Sequence, residues 1–508
     1  MNVLLDGTGV TVADVVAVAR KGHRVDLTPE SIERMRKARS IVENLAEGDP
    51  AYGISTGFGA LATTAIPAQR RVDLQRSLIR SHSGGMGVPV ETEVVRAMMF
   101  LRARTLAMGL SGTRPVVART LARMVNEGVI PVVPEHGSLG ASGDLAPLAH
   151  VALVLTGEGE VLGDHGRSGA AEALAEAGIT PLVLAEKEGL ALTNGTDGIL
   201  GMLCLAVHDA CHLLTVADIT AALSVEGLLA TDRAFASDLQ TLRPHRGQAC
   251  SATNLRLVLA GSPIVASHRT GDVRVQDAYS VRCTPQVNGA ARDTLDFVAG
   301  VAERELESAI DNPMVLPDGR VESCGNFHGA PLGLAADFLA IALAEVGAIA
   351  ERRIDRLLDQ NRSHGLPPFL ADDPGVDSGL MIGQYTAAAM CAENRRLAAP
   401  ASVDSYPTSA MQEDHVSMGW SAARKLRRVI ENLRRILAIE WVTAARAVDL
   451  RRPLEPAAGT GAAIDLLRTQ VPGPGPDRVL STELLAAETL LANEMLVDAV
   501  ERPAGALA

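Results

Sequence analysis

Helical spacing is the first pattern that the chain shows. Thr28-Pro29-Glu30 has the form of an N-cap followed by a proline in the first turn. Ile32, Met35, Ala38, Val42 and Leu45 then fall on one face, which predicts a helix that Gly48 closes. Residues 50 to 90 are rich in Gly, Ser, Thr and Pro and read as loop, and helical spacing returns from 91 to 127. Asp144 before Leu-Ala-Pro-Leu-Ala predicts another N-cap and a helix ending near Thr156. Residues 157 to 190 read as a small irregular patch with short strands.

From Gly198 the pattern changes. Residues 198 to 231, 289 to 310, 330 to 360 and 421 to 450 are long helical stretches, the first three mostly apolar. Leu332 to Ala350 approaches the length of a membrane span, but Asp337 and Glu345 within it would be costly in lipid. Helices apolar nearly all round belong inside a large core or between subunits, so a central bundle packing across subunits is predicted. Val471-Pro472-Gly473-Pro474-Gly475-Pro476 is a breaker, and Ser481 is expected to cap a last helix running to Glu501. The expectation is a mainly α protein in two parts. Residues 1–197 carry loops and a few short strands, and 198–508 form the long-helix bundle and C-terminal helices.

Composition narrows the function classes. Aromatics are 3% of 508 residues, so the core must be Ala, Leu, Val and Ile, which suits close-packed helices. A net charge of −13 without a basic run argues against nucleic acid. Six scattered cysteines without C-x-x-C spacing fit reduced thiols, and Met1-Asn2-Val3-Leu4-Leu5-Asp6 lacks the form of a secretory signal. A cytoplasmic protein without membrane or metal is expected.

The chemistry concentrates in Gly137-Ser138-Leu139-Gly140-Ala141-Ser142-Gly143-Asp144-Leu145-Ala146-Pro147-Leu148-Ala149-His150. Gly143 has no Cβ, so its nitrogen can approach the Ala141 carbonyl. Loss of water from Ser142 would then leave an exocyclic methylene on a five-membered ring. A helix N-terminus beside such a ring would stabilise charge moving onto its oxygen. The bare tripeptide is also what an ordinary loop contains. Two other motifs compete. Gly53-Ile54-Ser55-Thr56-Gly57 has G-x-S-x-G spacing, but Asp49-Pro50 precedes it where a serine hydrolase needs a hydrophobic strand. His208 and His212 lie at i and i+4, but Asp209 stands where a zinc protease has Glu, and packed core histidines are the expectation.

The full window resembles the signature of the aromatic amino acid ammonia-lyases, particularly their histidine-specific branch. The resemblance runs from Tyr52 past Met418. It implies that Ala141, Ser142 and Gly143 cyclise to 4-methylidene-imidazol-5-one without any external cofactor. It also implies deamination of L-histidine to trans-urocanate, a fumarase/aspartase-like long-helix fold, and a homotetramer with shared active sites. Tyr52, in Tyr-Gly-Ile-Ser-Thr-Gly-Phe-Gly, matches the tyrosine proposed to remove the substrate β-proton. Arg282 matches the group that holds the carboxylate, and a guanidinium suits a bidentate grip. Gln276 and Tyr279 would line the site near the ring. Asn194, in Leu-Thr-Asn-Gly-Thr, would contact the ring and the carboxylate. Phe327 would pack on the substrate, and His82 would lie beside its side chain. Glu413, in Gln-Glu-Asp-His, fits the histidine-specific pattern, because a carboxylate can accept an imidazole N–H. Tyrosine or phenylalanine lyases and aromatic 2,3-aminomutases of the same family are the alternatives. Ser83 and Asn288 depart from the small or apolar residues expected at their positions.

The electrophile answers an energetic need. A general base supplies about 10²–10⁴-fold, whereas enzymatic accelerations require about 8–23 kcal/mol. Attack on the substrate amine and attack on its imidazole are both compatible with the sequence.

Overall fold

The computed structural model describes residues 2–46, 56–57, 64–163, 166–272 and 274–508. Among them are twenty α-helices and nine short strands, so the protein is mainly helical, as predicted. Asn2–Leu5 pairs in parallel with Arg24–Leu27 across the helix Val12–Arg20. Helix Pro29–Ala46 begins where the proline placed it. The Thr28 hydroxyl accepts the Ser31 amide at 3.1 Å, and Met35, Ala38 and Val42 are buried. Gly48 lies outside the described residues.

Two predicted boundaries are corrected. Arg71–His82 is a helix inside the stretch read as loop. It was hidden because Gln75, Leu78 and Ile79 are its only buried residues, too few to make a stripe. The single C-terminal helix is two, Leu480–Ala492 and Met495–Ala504, broken at Glu494, whose φ is +59°. Ser481 lies within the first turn, and Val479 takes the cap position. The patch after residue 157 holds the antiparallel pair Glu160–Gly163 and Gly166–Gly169, then helices Ala170–Glu176 and Glu188–Thr193.

The long helices are Asp197–Gly227, Thr284–Leu306, Ala330–Leu358 and Gly419–Asp449. The first and third are long and apolar enough to cross a membrane, but 78% and 61% of their most apolar windows are buried in protein. That is the pattern of core helices.

The chain divides into two compact units. One comprises Met1–His208, Ala299–Asp337 and Pro400–Arg424; the other Asp209–Val298, Phe338–Ala399 and Lys425–Ala508. Each unit draws on three separated stretches, where the change of composition suggested one cut between residues 197 and 198. The first unit carries the Ala141-Ser142-Gly143 loop over a core that includes Met98, Phe100, Val117 and Leu121. The second is built around Leu433, Leu437 and Trp441.

Candidate active site

The loop joins strand Pro134–His136 to helix Leu145–Leu155. Gly140 and Gly143 have φ of +66° and +80°, a region that disfavours side chains. A Cβ on Gly143 would collide with the Gly195 backbone, and one on Gly140 with the Ser417 hydroxyl. The absent side chains therefore let two backbones touch. Gly143 bridges Gly195, and the Asp144 amide donates to the Gly195 carbonyl at 2.6 Å. On the other side the Met418 amide donates to Leu139 at 2.8 Å, and the Ser417 hydroxyl to Gly140 at 2.9 Å.

Asp144 occupies the N-cap position predicted for it, but its side chain does not cap its own helix. Its carboxylate accepts the amides of Gly198 and Ile199, at 2.9 and 3.0 Å, in the first turn of Asp197–Gly227. The Ser138 hydroxyl adds a third bond at 2.9 Å. Burial pushes the Asp144 carboxyl up to about 7 against the pull of these donors, and the charge of Asp197 acts in the same direction as burial.

A cavity of about 440 Å³ opens over the loop, and Ser142, His82, Asn194 and Glu413 all line it. The Ser142 hydroxyl donates to Glu413 Oε1 at 2.9 Å, and the Thr408 hydroxyl to Glu413 Oε2 at 2.7 Å. His82 Nδ1 lies 3.0 Å from the Leu78 carbonyl. The Ser81 hydroxyl lies at the same 3.0 Å from Nδ1, and with Nδ1 donating to the carbonyl, Nε2 keeps a lone pair. Burial holds His82 below the usual histidine range, while the Leu78 bond and the Glu413 charge pull the other way. Asn194 donates through Nδ2 to the Asn312 carbonyl at 2.9 Å, and its Oδ1 is buried without a partner among the described residues.

Thus four residues from distant windows meet at one cavity, flanked by buried Ala141 and Gly143. Tyr52 and most of the Gly53–Gly57 motif lie outside the described residues. Phe327 is half-buried and does not line this cavity. Gln276, Tyr279 and Arg282 belong to the second unit. There Gln276 is exposed, and so is 71% of Tyr279, with the Arg282 guanidinium carbon 4.5 Å from the centre of the tyrosine ring. Ser83 donates to Ile79 and Asn288 to Asp218, both at 2.8 Å; neither lines the cavity. No cluster of metal-ligating side chains occurs among the described residues, and His212 Nε2 lies 3.3 Å from the Leu491 carbonyl. Sequence reasoning missed Thr408 and Asn312. Their signals were faint: Thr408 lies five residues before Glu413, and Asn312 stands in Asp-Asn-Pro.

The profile of the aromatic amino acid lyase family matches residues 10–469. The chain belongs to this family. The lyase is 59% identical to the histidine ammonia-lyase of Streptomyces avermitilis, over all of both chains. It is 49% identical to that of Gloeobacter violaceus, over 99% of this chain and 98% of the relative. Among solved structures it is similar to tyrosine aminomutase from Streptomyces globisporus, with a TM-score of 0.94 and 39% identity over 99% of each chain. Histidine ammonia-lyase from Trypanosoma cruzi gives a TM-score of 0.91 and 39% identity, over 99% of this chain and 96% of the other.

Proposed function

We propose that the lyase removes ammonia from L-histidine to give trans-urocanate. The observation that carries this reading is the Glu413 carboxylate, which lines one cavity with Ser142 and His82 and is held there by the Thr408 hydroxyl; ring formation removes the Ser142 hydroxyl that Oε1 accepts in the linear chain and leaves that oxygen for the substrate. Imidazole offers an N–H to that carboxylate and phenyl offers none. Burying the carboxylate unpaired against phenyl would cost several kcal/mol. The neutral His82 adds a lone pair at Nε2, a second acceptor suited to an imidazole N–H. The similarity to histidine ammonia-lyases at 49–59% identity supports the same substrate over the aminomutase reaction.

The residues around the loop fit the prosthetic group that the family implies. Gly143 leaves no Cβ between its own backbone and Gly195, and Asn194 keeps an unused acceptor at the cavity. Ala141, Ser142 and Gly143 would form the ring, which when present supplies an electrophile that none of the twenty side chains provides. Asp144, bonded to the first turn of a 31-residue helix, anchors the loop from behind. Glu413 orients the substrate side chain. By family resemblance Tyr52 takes the β-proton and Arg282 holds the carboxylate.

A homotetramer in the cytoplasm with shared active sites completes the reading. Tyr279 stands exposed, and Phe297, Phe338 and Ile341 expose apolar surface on a groove of about 690 Å³ in the second unit. Apolar surface of this kind suits burial against another copy.

Intact-mass measurement of the denatured chain should find it two water molecules lighter than its sequence. Ser142→Ala should restore the full mass and abolish turnover while assembly persists. Incubation with histidine, tyrosine and phenylalanine should release ammonia from histidine; β-amino acid products would point to the aminomutase reading instead.

A further inference from the structure

We propose that Lys187 and Asp311 are positioning residues for the cavity, setting which way the Asn194 side-chain amide faces; this rests on the reading of the cavity given above. Both side chains are buried, 0% and 1% exposed, and Lys187 Nζ lies 2.7 Å from Asp311 Oδ2. The other carboxylate oxygen, Oδ1, accepts the Asn312 amide at 2.7 Å. The Asn312 carbonyl accepts Asn194 Nδ2 at 2.9 Å, and Asn312 Oδ1 accepts the Cys324 amide at 2.9 Å. The main chain closes the circuit. Lys187, at a φ of +68°, is the N-cap of helix Glu188–Thr193, and Asn194 is its C-cap.

One ion pair therefore ties the start of a short helix to the turn that receives the residue at its end. A carbonyl oxygen only accepts, so a firmly held Asn312 carbonyl admits the Asn194 NH₂ and excludes its oxygen. The orientation leaves Oδ1 as the unused acceptor of Asn194. Without the pair, the Asp311–Asn312 turn loses its anchor and the amide loses the constraint that selects one of its two orientations. The Asn194 backbone has separate support, because Arg102 Nη1 donates to its carbonyl at 2.9 Å and Arg102 Nη2 to that of Ile310 at 2.8 Å. Loss of the ion pair should thus turn the side chain without displacing the main chain.

The test compares Lys187→Met, Asp311→Asn and the double variant of the full chain, each alone and combined with Asn194→Ala. The double variant holds no unpaired buried charge, and Asn at 311 still accepts the Asn312 amide. It should melt within a few degrees of wild type, and its denatured chain should remain two waters short of the sequence mass. Its kcat/KM for L-histidine should fall at least about tenfold. Added to Asn194→Ala, it should cost less than about twofold more, because it acts through that residue.

Unchanged kcat/KM, a loss that multiplies with that of Asn194→Ala, or full sequence mass in the double variant would each overturn the proposal. If the double variant does not fold, Lys187→Arg decides by the same coupling, since it keeps the charge but moves it. A wild-type chain of full sequence mass that leaves histidine untouched would sink the functional reading and this proposal with it, whereas an active wild type with an unaffected double variant would sink this proposal alone.

Discussion

Glu440 in the second unit and Asp144 in the first are both fully buried carboxyl groups, and their partners differ in kind. Glu440 faces the Arg353 guanidinium at 3.0 Å and accepts the Thr220 and Ser224 hydroxyls at 2.8 Å each. Asp218, in the same unit, is bonded to Arg292, Asn254 and Asn288 within 3.0 Å. Their charges are cancelled in place, which suits a scaffold. Asp144 is held by two main-chain amides and a hydroxyl, and burial leaves its carboxyl at about 7. A group poised in this way responds to protonation and to what lies beside it, and such groups gather at functional sites. Of these carboxyl groups Asp144 is the responsive one, and Glu440 and Asp218 are the fixed ones.

The largest effect is expected from Asp144→Ala. It strands the Gly198 and Ile199 amides at about 1–3 kcal/mol each, leaves the Ser138 hydroxyl only the Gly143 carbonyl at 3.3 Å, and frees the loop that carries Ser142. Turnover should fall at least about a hundredfold, and part of the chain should keep its full sequence mass. Wild-type mass together with wild-type turnover would break the contrast between the two carboxyl groups.

Arg353→Met should act on stability alone. It leaves Glu440 buried and unpaired, a loss of about 3–5 kcal/mol in urea unfolding, while KM of the folded protein holds. Arg353→Met with Glu440→Leu should recover most of that loss. A change in KM that survives in the double variant would show that the scaffold reaches the cavity.

Titration sharpens the comparison further. The Asp144 pKa is raised, so the folded chain holds that proton more firmly than the unfolded chain does. Its stabilisation is fully present below the ordinary value of 3.8 and is lost as pH rises through about 7. His82 is lowered, so folding opposes its protonation and stability should fall as pH drops below its ordinary 6.5. Unfolding free energies across this range should slope less for Asp144→Asn between those limits and less for His82→Gln on the acid side. Parallel curves for wild type and both variants would remove the idea of responsive groups in the first unit.

The smallest effect belongs to Thr408→Val, which removes one hydroxyl donor from Glu413 and should lower kcat/KM for histidine about two- to tenfold. An unchanged value would show that Thr408 does not align Glu413.

Legibility followed local pattern. The long helices and the glycine-bearing loop were readable because their signals lie within a few turns of chain. Arg71–His82 was not, because a helix with three buried residues leaves almost no apolar stripe. His82, Asn194 and Glu413, which line one cavity, were singled out by family resemblance, since nothing near them in the chain marks a site. Thr408, Lys187 and Asp311 passed unnoticed for the same reason.

The amino-acid order alone determined that helices dominate and that Ala141, Ser142 and Gly143 stand in reach of one another, because covalent neighbours stay neighbours in any fold. Tertiary structure decided the rest. Ser142 meets Glu413 across 271 positions, Lys187 meets Asp311 across 124, and Asp144 caps a helix 54 positions on instead of its own. Such meetings depend on how helix ends and loops close over a shared core, and no short-range pattern of apolar and polar residues encodes that closure.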